Sequence, residues 1–471
     1  MTKDAHIAAL QAQVNQLTVL LDAALVKIAE LEQRLNMNSR NSDKPPSSDG
    51  LSKKPALPRK RGLRKSGGQP GHPGRTLNMS ERPDHRIIHP MTGPRCTCGC
   101  DLTTVSAHLD WERRQVFDLP PTLLEVTEHR REHKTCPDCQ RLHLAPFPRD
   151  VNAPVQYGER VRSLAVLLNV EQSLPLARVQ ELFAGLTGYG ISAATVQAAV
   201  ARTYDKLEIE EAIIHQAVLK SSVAHGDETG ARIAGKLHWV HGFSSLLYTL
   251  YVVYRQRGGA VINGPESHLA DYTGRLVHDC LNSYLTMAGG VKHSLCNAHL
   301  LRELTALMEL PPAAALPTSW PAGMHALLMD YYRASDHGKG VVSSKELAEL
   351  DRRYRELLAL ADREEPPPKQ GKRGRPKKSK GRNLRDRLEN WQEAVLAFSR
   401  HPAVPFTNNL GERDLRPWKT KLKVAGCFRT LQGAQYYARI KGFCSTAKKH
   451  GRVVFDELVN VQRKMSFLRL T

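Results

Sequence analysis

The stretch between residues 222 and 304 most constrains the fold of this 471-residue chain. "SVAHGDETGARI" places Asp227 where an apolar segment gives way to a glycine-rich turn, and "LHWVHGF" and "LLYTLYVVY" then read as two strands joined by a short turn. "GRLVHDCLNSY" places Asp279 at the end of another apolar run, and "HSLCNAHLLREL" reads as a strand leading into a helix. In a mixed sheet, two strands that end in this way can lie side by side and bring both carboxylates together.

Two close carboxylates in a basic protein have a clear chemical use. Mg²⁺ prefers oxygen ligands and needs only one or two protein carboxylates, and a pair of such ions can activate a water or a 3′-hydroxyl. The alternative is that Asp227 and Asp279 each cap a turn. A third acid, Glu412 in "FTNNLGERDLRPWKT", lies beside two asparagines and several basic residues. It either pairs with its arginine neighbours or helps to hold a metal.

Five of the nine cysteines are clustered, in "RCTCGC" (Cys96, Cys98, Cys100) and "CPDC" (Cys136, Cys139). A Cys-x-x-Cys turn lets two sulfurs face one Zn²⁺, and the first cluster offers three sulfurs for two places. "RRQVFDLP" and "LLEVTEHR" read as strands joined by a Pro-Pro turn. This order predicts a zinc ribbon bound by four of the five cysteines in a reducing compartment. Five unrelated thiols are the alternative, and a redox Cys-x-x-Cys is disfavoured because no thioredoxin-like pattern surrounds it.

Residues 7 to 35 carry four heptads of apolar residues. The first seam contains Ile7, Val14, Leu21, Ile28 and Leu35, and the second contains Leu10, Leu17, Ala24 and Leu31. This pattern predicts a short coiled coil that joins two or more chains. The alternative is an amphipathic helix that packs on its own domain.

The net charge of +21 favours a polyanionic partner, because clustered Lys and Arg displace the counterions of nucleic acid. Residues 51 to 75 lie in a Pro-, Gly- and Ser-rich linker and contain basic residues but no acid. A second basic tract, 369 to 387, contains Arg373 and Arg375 in an Arg-Gly-Arg-Pro core that can lie in the minor groove of DNA. A solvated charged insertion explains that tract equally well. We expect a cytoplasmic protein without a signal peptide or a membrane span, because no apolar run approaches the required length.

Residues 157 to 206 read as three helices. The last follows Gly190, with Ser192 as its N-cap. Three short helices with a glycine-containing turn before the last are compatible with a helix-turn-helix, and equally with an ordinary helical bundle.

Several blocks of this sequence resemble those of transposases of the insertion sequence 66 family. They are "KPPSSDG", "GGQPGHPG", "HGDETG", "VHDCLNSY", "CNAHLLREL", "PFTNNLGERDLRPWK", "GCFRTLQGA" and "STAKKHG", in family order from about residue 38 to about residue 465. The resemblance implies a bacterial DDE transposase with a ribonuclease H-like core, a zinc-binding domain and divalent metal ions, Mg²⁺ or Mn²⁺. It also implies accessory proteins from the same element and association with the nucleoid.

The resemblance implies roles for individual residues. Asp227 and Asp279 would be the first two acidic ligands, and Glu412 would be the third, carried on a C-terminal helix. Glu303 is a rival for the third place, whereas Glu228 should point away from Asp227 because neighbours on a strand face opposite sides. Asn408 and Asn409 would shape the start of the helix, and its basic residues would approach the DNA backbone: Arg413, Arg416, Lys419 and Lys421.

We therefore expect an α/β multidomain protein with a mixed sheet flanked by helices and a helical, basic insertion at about 300–400. The expected divisions are a coiled coil (1–37), a basic linker (38–84), a zinc-binding domain (85–150), a helical DNA-binding-like module (151–215), the catalytic core (216–425) and a C-terminal helical region (426–471). The expected function is DNA strand cleavage and strand transfer at the terminal inverted repeats of an insertion sequence, on double-stranded DNA. A zinc-containing regulator with an inactive core and a nuclease without strand transfer are the alternatives.

Overall fold

The computed structural model describes residues 3–37, 41–42, 79–89, 95–98, 101–103, 113–118, 120, 123–264, 267–287, 289–309, 319–338, 340–368, 376 and 378–469. The chain divides into two compact units. The larger contains Met1–Ser52 and Pro148–Thr471, and the smaller is Lys53–Phe147. None of the helices in the described part of the chain is both long and apolar enough to cross a membrane.

In the larger unit the five described strands and two short helices lie between two runs of helices, and two further strands form a hairpin in the smaller unit. The strands are β1 (His133–Thr135), β2 (Leu142–Leu144), β3 (Val223–Ile233), β4 (Lys236–Ser244), β5 (Thr249–Tyr254), β6 (Arg275–His278) and β7 (Lys292–Leu295). The α-helices are α1 (Lys3–Asn36), α2 (Glu159–Val166), α3 (Leu176–Thr187), α4 (Ala193–Lys206), α5 (Glu208–Leu219), α6 (Gly259–Ile262), α7 (Asn282–Leu285), α8 (Asn297–Glu309), α9 (Trp320–Ala334), α10 (Ser344–Glu364), α11 (Lys380–Asn390), α12 (Gln392–Arg400), α13 (Asn409–Ala425), α14 (Leu431–Lys449) and α15 (Val454–Gln462).

The larger unit is built on a five-stranded mixed sheet with the strand order β5-β4-β3-β6-β7. The first three strands are antiparallel neighbours, whereas β6 runs parallel to both β3 and β7. Ala234 and Gly235 join β3 to β4 with positive φ angles of 49° and 77°. Two such residues form the type of tight turn that matches the twist of a hairpin. The mixed sheet flanked by helices agrees with the fold class expected from the sequence.

One hydrophobic core joins the sheet to the helices before and after it. Its buried residues include Val166 and Val200 from α2 and α4, Ile214 from α5, and Trp418 and Phe443 from α13 and α14. In the described structure α2, α4 and α5 therefore share a core with the sheet, whereas the buried Val179 and Phe183 of α3 are not part of it. Ser192 caps α4 as expected, because its Oγ accepts a hydrogen bond of 3.0 Å from the Thr195 amide.

A short π-helix, Leu167–Glu171, follows α2. Its backbone carbonyls receive hydrogen bonds from two buried lysines of the C-terminal helices: Lys421 Nζ donates to Asn169 O and Lys441 Nζ donates to Glu171 O, each at 3.0 Å. These bonds satisfy carbonyls in an irregular helical turn and fasten it to α13 and α14.

A second hydrophobic cluster occupies the insertion between α8 and α13. It combines Val277 of β6 and Leu295 of β7 with side chains from α8 to α12, including Trp320, Tyr354 and Phe398. The insertion thus packs on the β6–β7 edge of the sheet. The expected boundary near residue 300 falls within α8, whose buried Leu300 and Leu304 pack in this second cluster.

The smaller unit contains the β1–β2 hairpin, with Cys136 and Cys139 between its strands. The expected strands "RRQVFDLP" and "LLEVTEHR" are wrong where the structure describes them, because residues 113–118, 120 and 123–130 are irregular. Their apolar side chains are exposed, with Val116 at 92% and Val126 at 73%. An alternating pattern forms a strand only where one of its faces is covered.

Helix α1 carries the heptads, and its apolar seam is exposed. The first-seam residues Ile7, Val14, Leu21, Ile28 and Leu35 are between 51% and 84% exposed. These side chains do not pack on the chain's own core. The coiled coil itself stays a prediction, and most of the linker 38–84 lies outside the described residues.

Candidate active site

Asp227 lies within β3 and Asp279 directly follows β6, at matched positions of two neighbouring parallel strands. The expected glycine-rich turn after Asp227 is wrong, because β3 continues to Ile233 as the antiparallel partner of β4. β3 pairs with β6 in a register that sets Val223 opposite Arg275 and His225 opposite Val277. Continued by two residues, the same register sets Asp227 opposite Asp279. Both aspartates are half-buried, so their carboxylates are held between the core and solvent.

Glu412 reaches this end of the sheet from the first turn of α13. Asn408, which precedes that helix, forms two side-chain hydrogen bonds with β3. Its Nδ2 donates to Gly226 O, and its Oδ1 pairs with His225 Nδ1, both at 2.8 Å. The Glu412 amide donates to Asn408 O at 3.1 Å. A Cβ on Gly411 would lie 2.9 Å from Asn408 Oδ1, so only glycine fits there without displacement.

The acids interact electrostatically. Burial raises the pKa of Asp227 to about 7, and the neighbouring charges of Glu228, Asp279 and Glu412 add to the increase. Each aspartate also accepts a local backbone hydrogen bond: Glu228 N donates to Asp227 Oδ1 at 2.9 Å, and Leu281 N to Asp279 Oδ1 at 3.0 Å. One oxygen of each aspartate therefore accepts a local bond, which caps a turn only at Asp279, because Asp227 lies within β3. A cluster of like charges at one edge of a sheet is stabilised by a bound cation.

Two residues that the sequence interpretation did not assign lie against Glu412. The ligand atoms of Cys296, His299 and Glu412 all lie within 4.8 Å of one another. Burial lowers the pKa of His299, but the Cys296 thiol and the Glu412 carboxylate outweigh burial and raise it to about 9. The available signal was the "CNAH" spacing, which places Cys296 directly before a helix and His299 in its first turn.

Both rival acids are paired with arginines. The Glu228 side chain is 1% exposed and receives Arg257 at 2.6 Å, and the Arg257 guanidinium lies 4.6 Å from the ring centre of Trp239. Burial and the charge of Asp279 raise the pKa of Glu228. Glu303 pairs with Arg387 of the insertion at 2.5 Å. Glu412 Oε1 is buried without a hydrogen-bond partner among the described residues, and so is Glu228 Oε2, the oxygen that Arg257 does not contact. The three half-buried acids with the unsatisfied oxygen of Glu412 fit a hard divalent cation.

The basic residues of α13 divide into two groups. Arg413, Arg416 and Lys419 are exposed, and so is Lys423, which the sequence interpretation omitted. Lys421 corrects the expectation, because it is buried, bonds to Asn169 and lies 5.8 Å from the ring centre of Tyr437. Burial lowers the pKa of Lys421 to about 8. Arg373 and Arg375 lie outside the described residues.

The described cysteines of the smaller unit are free thiols: Cys96, Cys98, Cys136 and Cys139. Backbone amides of Cys139 and Asp138 lower the pKa of Cys136. The backbone amide of Cys98 likewise lowers the pKa of Cys96. Such amides suit thiolate ligands. Across the described part of the chain, however, these four cysteines do not gather into a group of three ligands. Cys100 lies outside the described residues, so zinc binding stays a prediction.

Comparisons with known proteins agree with this arrangement. Residues 154–436 match the family described as "Transposase IS66 family", and residues 1–78 match a "Family of unknown function (DUF6444)". The "Uncharacterized protein y4hP" of Sinorhizobium fredii is 24% identical over 237 residues, which cover 46% of this chain and 42% of that protein. This chain therefore spans less than half of that relative. Because the first match covers more than half of the chain, including Asp227, Asp279 and Glu412, the chain belongs to the IS66 transposase family.

Proposed function

We propose that this protein is a DDE-type DNA transposase that cuts the terminal inverted repeats of a bacterial insertion sequence and joins them to target DNA. The observation that carries the proposal is the β3–β6 register that sets Asp227 opposite Asp279, together with the bonds by which Asn408 fastens the start of the Glu412 helix to β3. Three acids from β3, the end of β6 and α13 thus act on one point. The strand order, with three antiparallel strands and then two parallel ones, supports a ribonuclease H-like core.

Asp227, Asp279 and Glu412 would hold the divalent ions, Mg²⁺ or Mn²⁺. When bound, such ions activate a water or a 3′-hydroxyl and stabilise the leaving oxygen. Asn408 fixes Glu412 relative to Asp227 through its bonds to β3. Arg257 neutralises Glu228, which would otherwise add a competing negative charge beside the ligands. These residues define one polar end of the sheet to which a phosphate can be brought.

The exposed cations of α13 supply a surface for the DNA backbone. Arg413, Arg416, Lys419 and Lys423 recur at intervals of three or four residues, so they follow one face of the helix that begins beside Glu412. Such interactions position DNA but carry no sequence information. We infer that the zinc-binding and helical modules read the inverted repeats, and that α1 pairs two chains through its exposed seam. Accessory proteins of the same element are further proposed partners.

The test is cleavage and strand transfer on a pre-cleaved terminal repeat in Mg²⁺ or Mn²⁺. We expect Asp227→Asn, Asp279→Asn and Glu412→Gln each to abolish both reactions and to leave DNA binding intact, because the amides keep the shape and lose the charge. Glu303→Gln is the matched control and should retain activity. DNA binding without cleavage by the unaltered protein would favour a regulator, and cleavage without joining would favour a nuclease. Transposition by the Glu412→Gln variant would exclude this assignment.

A further inference from the structure

We infer that Cys296, His299 and Glu412 form a second metal site, which takes a thiophilic divalent cation such as Zn²⁺ and withdraws Glu412 from the proposed Mg²⁺ site. The first part of this inference, that the site binds a metal (the binding half), is argued from geometry alone. The second part, that the bound metal lowers DNA cleavage (the regulatory half), rests on the proposed function.

The donor set selects the metal. A thiolate, an imidazole and one carboxylate suit Zn²⁺, whereas Mg²⁺ prefers oxygen ligands throughout. Three protein ligands with a free fourth position also match the coordination of zinc sites that remain open to water. The three ligand atoms already lie within 4.8 Å of one another. Small side-chain movements are enough to bring them around one ion.

Two of the three ligands carry polar atoms that the described structure leaves unsatisfied. Glu412 Oε1 and His299 Nδ1 are buried, and no hydrogen bond reaches either atom. Buried polar atoms are nearly always paired, and two unpaired atoms beside a thiol need an explanation. A cation bound by Glu412 and His299 would give such atoms a partner.

The surroundings of Cys296 favour the thiolate that a metal needs. The Asn408 amide donates to Cys296 Sγ at 3.1 Å. Cys296 also precedes the first residue of α8, where the helix dipole stabilises negative charge. Asn408 thus holds two of the three ligands in place, because it bonds to Cys296 directly and begins the helix that carries Glu412.

An ion has a route to this site and a consequence once bound. Cys296 is fully buried, but His299 and Glu412 are half-buried and give access from their side. Glu412 faces Cys296 and His299 and also lies within electrostatic reach of Asp227. A carboxylate drawn toward zinc is a poorer ligand for Mg²⁺ beside Asp227, so zinc should lower strand cleavage.

The first experiment measures zinc binding by the full-length protein in equilibrium dialysis, with elemental analysis. We expect Cys296→Ser and His299→Gln to bind one zinc ion fewer per chain, or to bind it about tenfold or more weakly. Cys444→Ser is the matched control, since Cys444 is also fully buried but lies on α14, and it should bind as the unaltered protein does. The smaller unit's cysteines are present in every variant and cancel in the comparison. Equal zinc binding by all four proteins would overturn the site. If circular dichroism shows that Cys296→Ser is unfolded, the result for His299→Gln decides.

The second experiment adds zinc to the Mg²⁺-dependent cleavage reaction. We expect zinc to inhibit the unaltered protein and Cys444→Ser, and a chelator selective for zinc to restore cleavage. Zinc that binds in a Cys296-dependent way without slowing cleavage would overturn the regulatory half. A protein that never cleaves DNA in Mg²⁺ would contradict the proposed function and leave the binding result standing.

Discussion

Asn408 does more for the candidate site than any other uncharged residue. Its side chain bonds to His225 and Gly226 of β3, and its amide bonds to Cys296. Asn409 was expected to share this role, but its side chain is exposed. The start of α13 is therefore set by one asparagine, and its neighbour occupies the first helical position without a role in the described hydrogen bonds.

These two neighbours give a matched pair of variants. We expect Asn408→Ala to lower the free energy of unfolding by about 2 to 4 kcal/mol, because it leaves His225 Nδ1 and the Gly226 carbonyl buried without partners. Cleavage should require more Mg²⁺, since Glu412 is no longer held in a fixed position. Asn409→Ala should match the unaltered protein in both measurements. Denaturant unfolding and a Mg²⁺ titration of cleavage test this, and equal effects of the two variants would contradict it.

Three buried histidines should make the fold sensitive to acid. Burial lowers the pKa of His225 and His241 to about 4 and that of His278 to about 3, from 6.5. The unfolded chain then binds more protons than the folded one between pH 6.5 and pH 4, so stability falls as the pH falls through that window. Asp227, whose pKa is raised, acts in the opposite direction.

A single variant isolates the histidine contribution. His241→Gln removes one titrating group, so we expect its melting temperature to fall less steeply between pH 6.5 and pH 4 than that of the unaltered protein. The exposed His143 is the control, and His143→Gln should keep the full slope. Parallel pH profiles for all three proteins would show that His241 does not contribute.

At the scale of elements, α13 carries exposed basic residues on one face and the buried Lys421 on another. We expect Arg416→Ala with Lys419→Ala to weaken binding to terminal-repeat and scrambled DNA by similar factors. The slope of log affinity against log salt should become shallower by about 0.9 for each phosphate that the protein no longer neutralises. Lys421→Met should lower thermal stability and leave the salt slope unchanged, because Lys421 bonds to the π-helix. Impaired discrimination between the two DNAs in the double variant would mean that α13 reads sequence.

The elements that the sequence predicted best are those with a local pattern and a covered face. β4 and β5 followed from their apolar runs, and the position of Asp227 opposite Asp279 followed from the expectation that their strands are neighbours, but β3 continues to Ile233 through the expected glycine-rich turn. The expected strands near Val116 and Val126 had the same alternation, but no packing partner covers them in the described structure. The Cys296–His299 pair and the burial of Lys421 depend on interactions between distant segments, which no local pattern encodes.

At the scale of the whole molecule, the prediction concerns α1. Deleting residues 1–37 should lower the concentration-dependent dimer fraction and the pairing of two DNA ends, while binding to a single end persists. The reason is that α1 exposes its apolar seam and leaves it available to a second chain. Sedimentation and a two-end pairing assay test this. Leu17→Lys with Ile28→Lys should reproduce the deletion, and a dimer that survives both changes would contradict the proposed coiled coil.

Because Glu412 lies late in the chain, the candidate active site is complete only after most of the protein has been synthesised. Asp227 and Asp279 leave the ribosome long before α13, which brings Glu412, and before α14, which covers β5. A polypeptide that ends before these helices lacks both the third carboxylate and much of the hydrophobic covering of the sheet. Unfinished chains would therefore be inert towards the chromosome and open to proteolysis. For the proposed transposase, which would cut the DNA of its host, such all-or-none maturation would limit damage without a separate inhibitor.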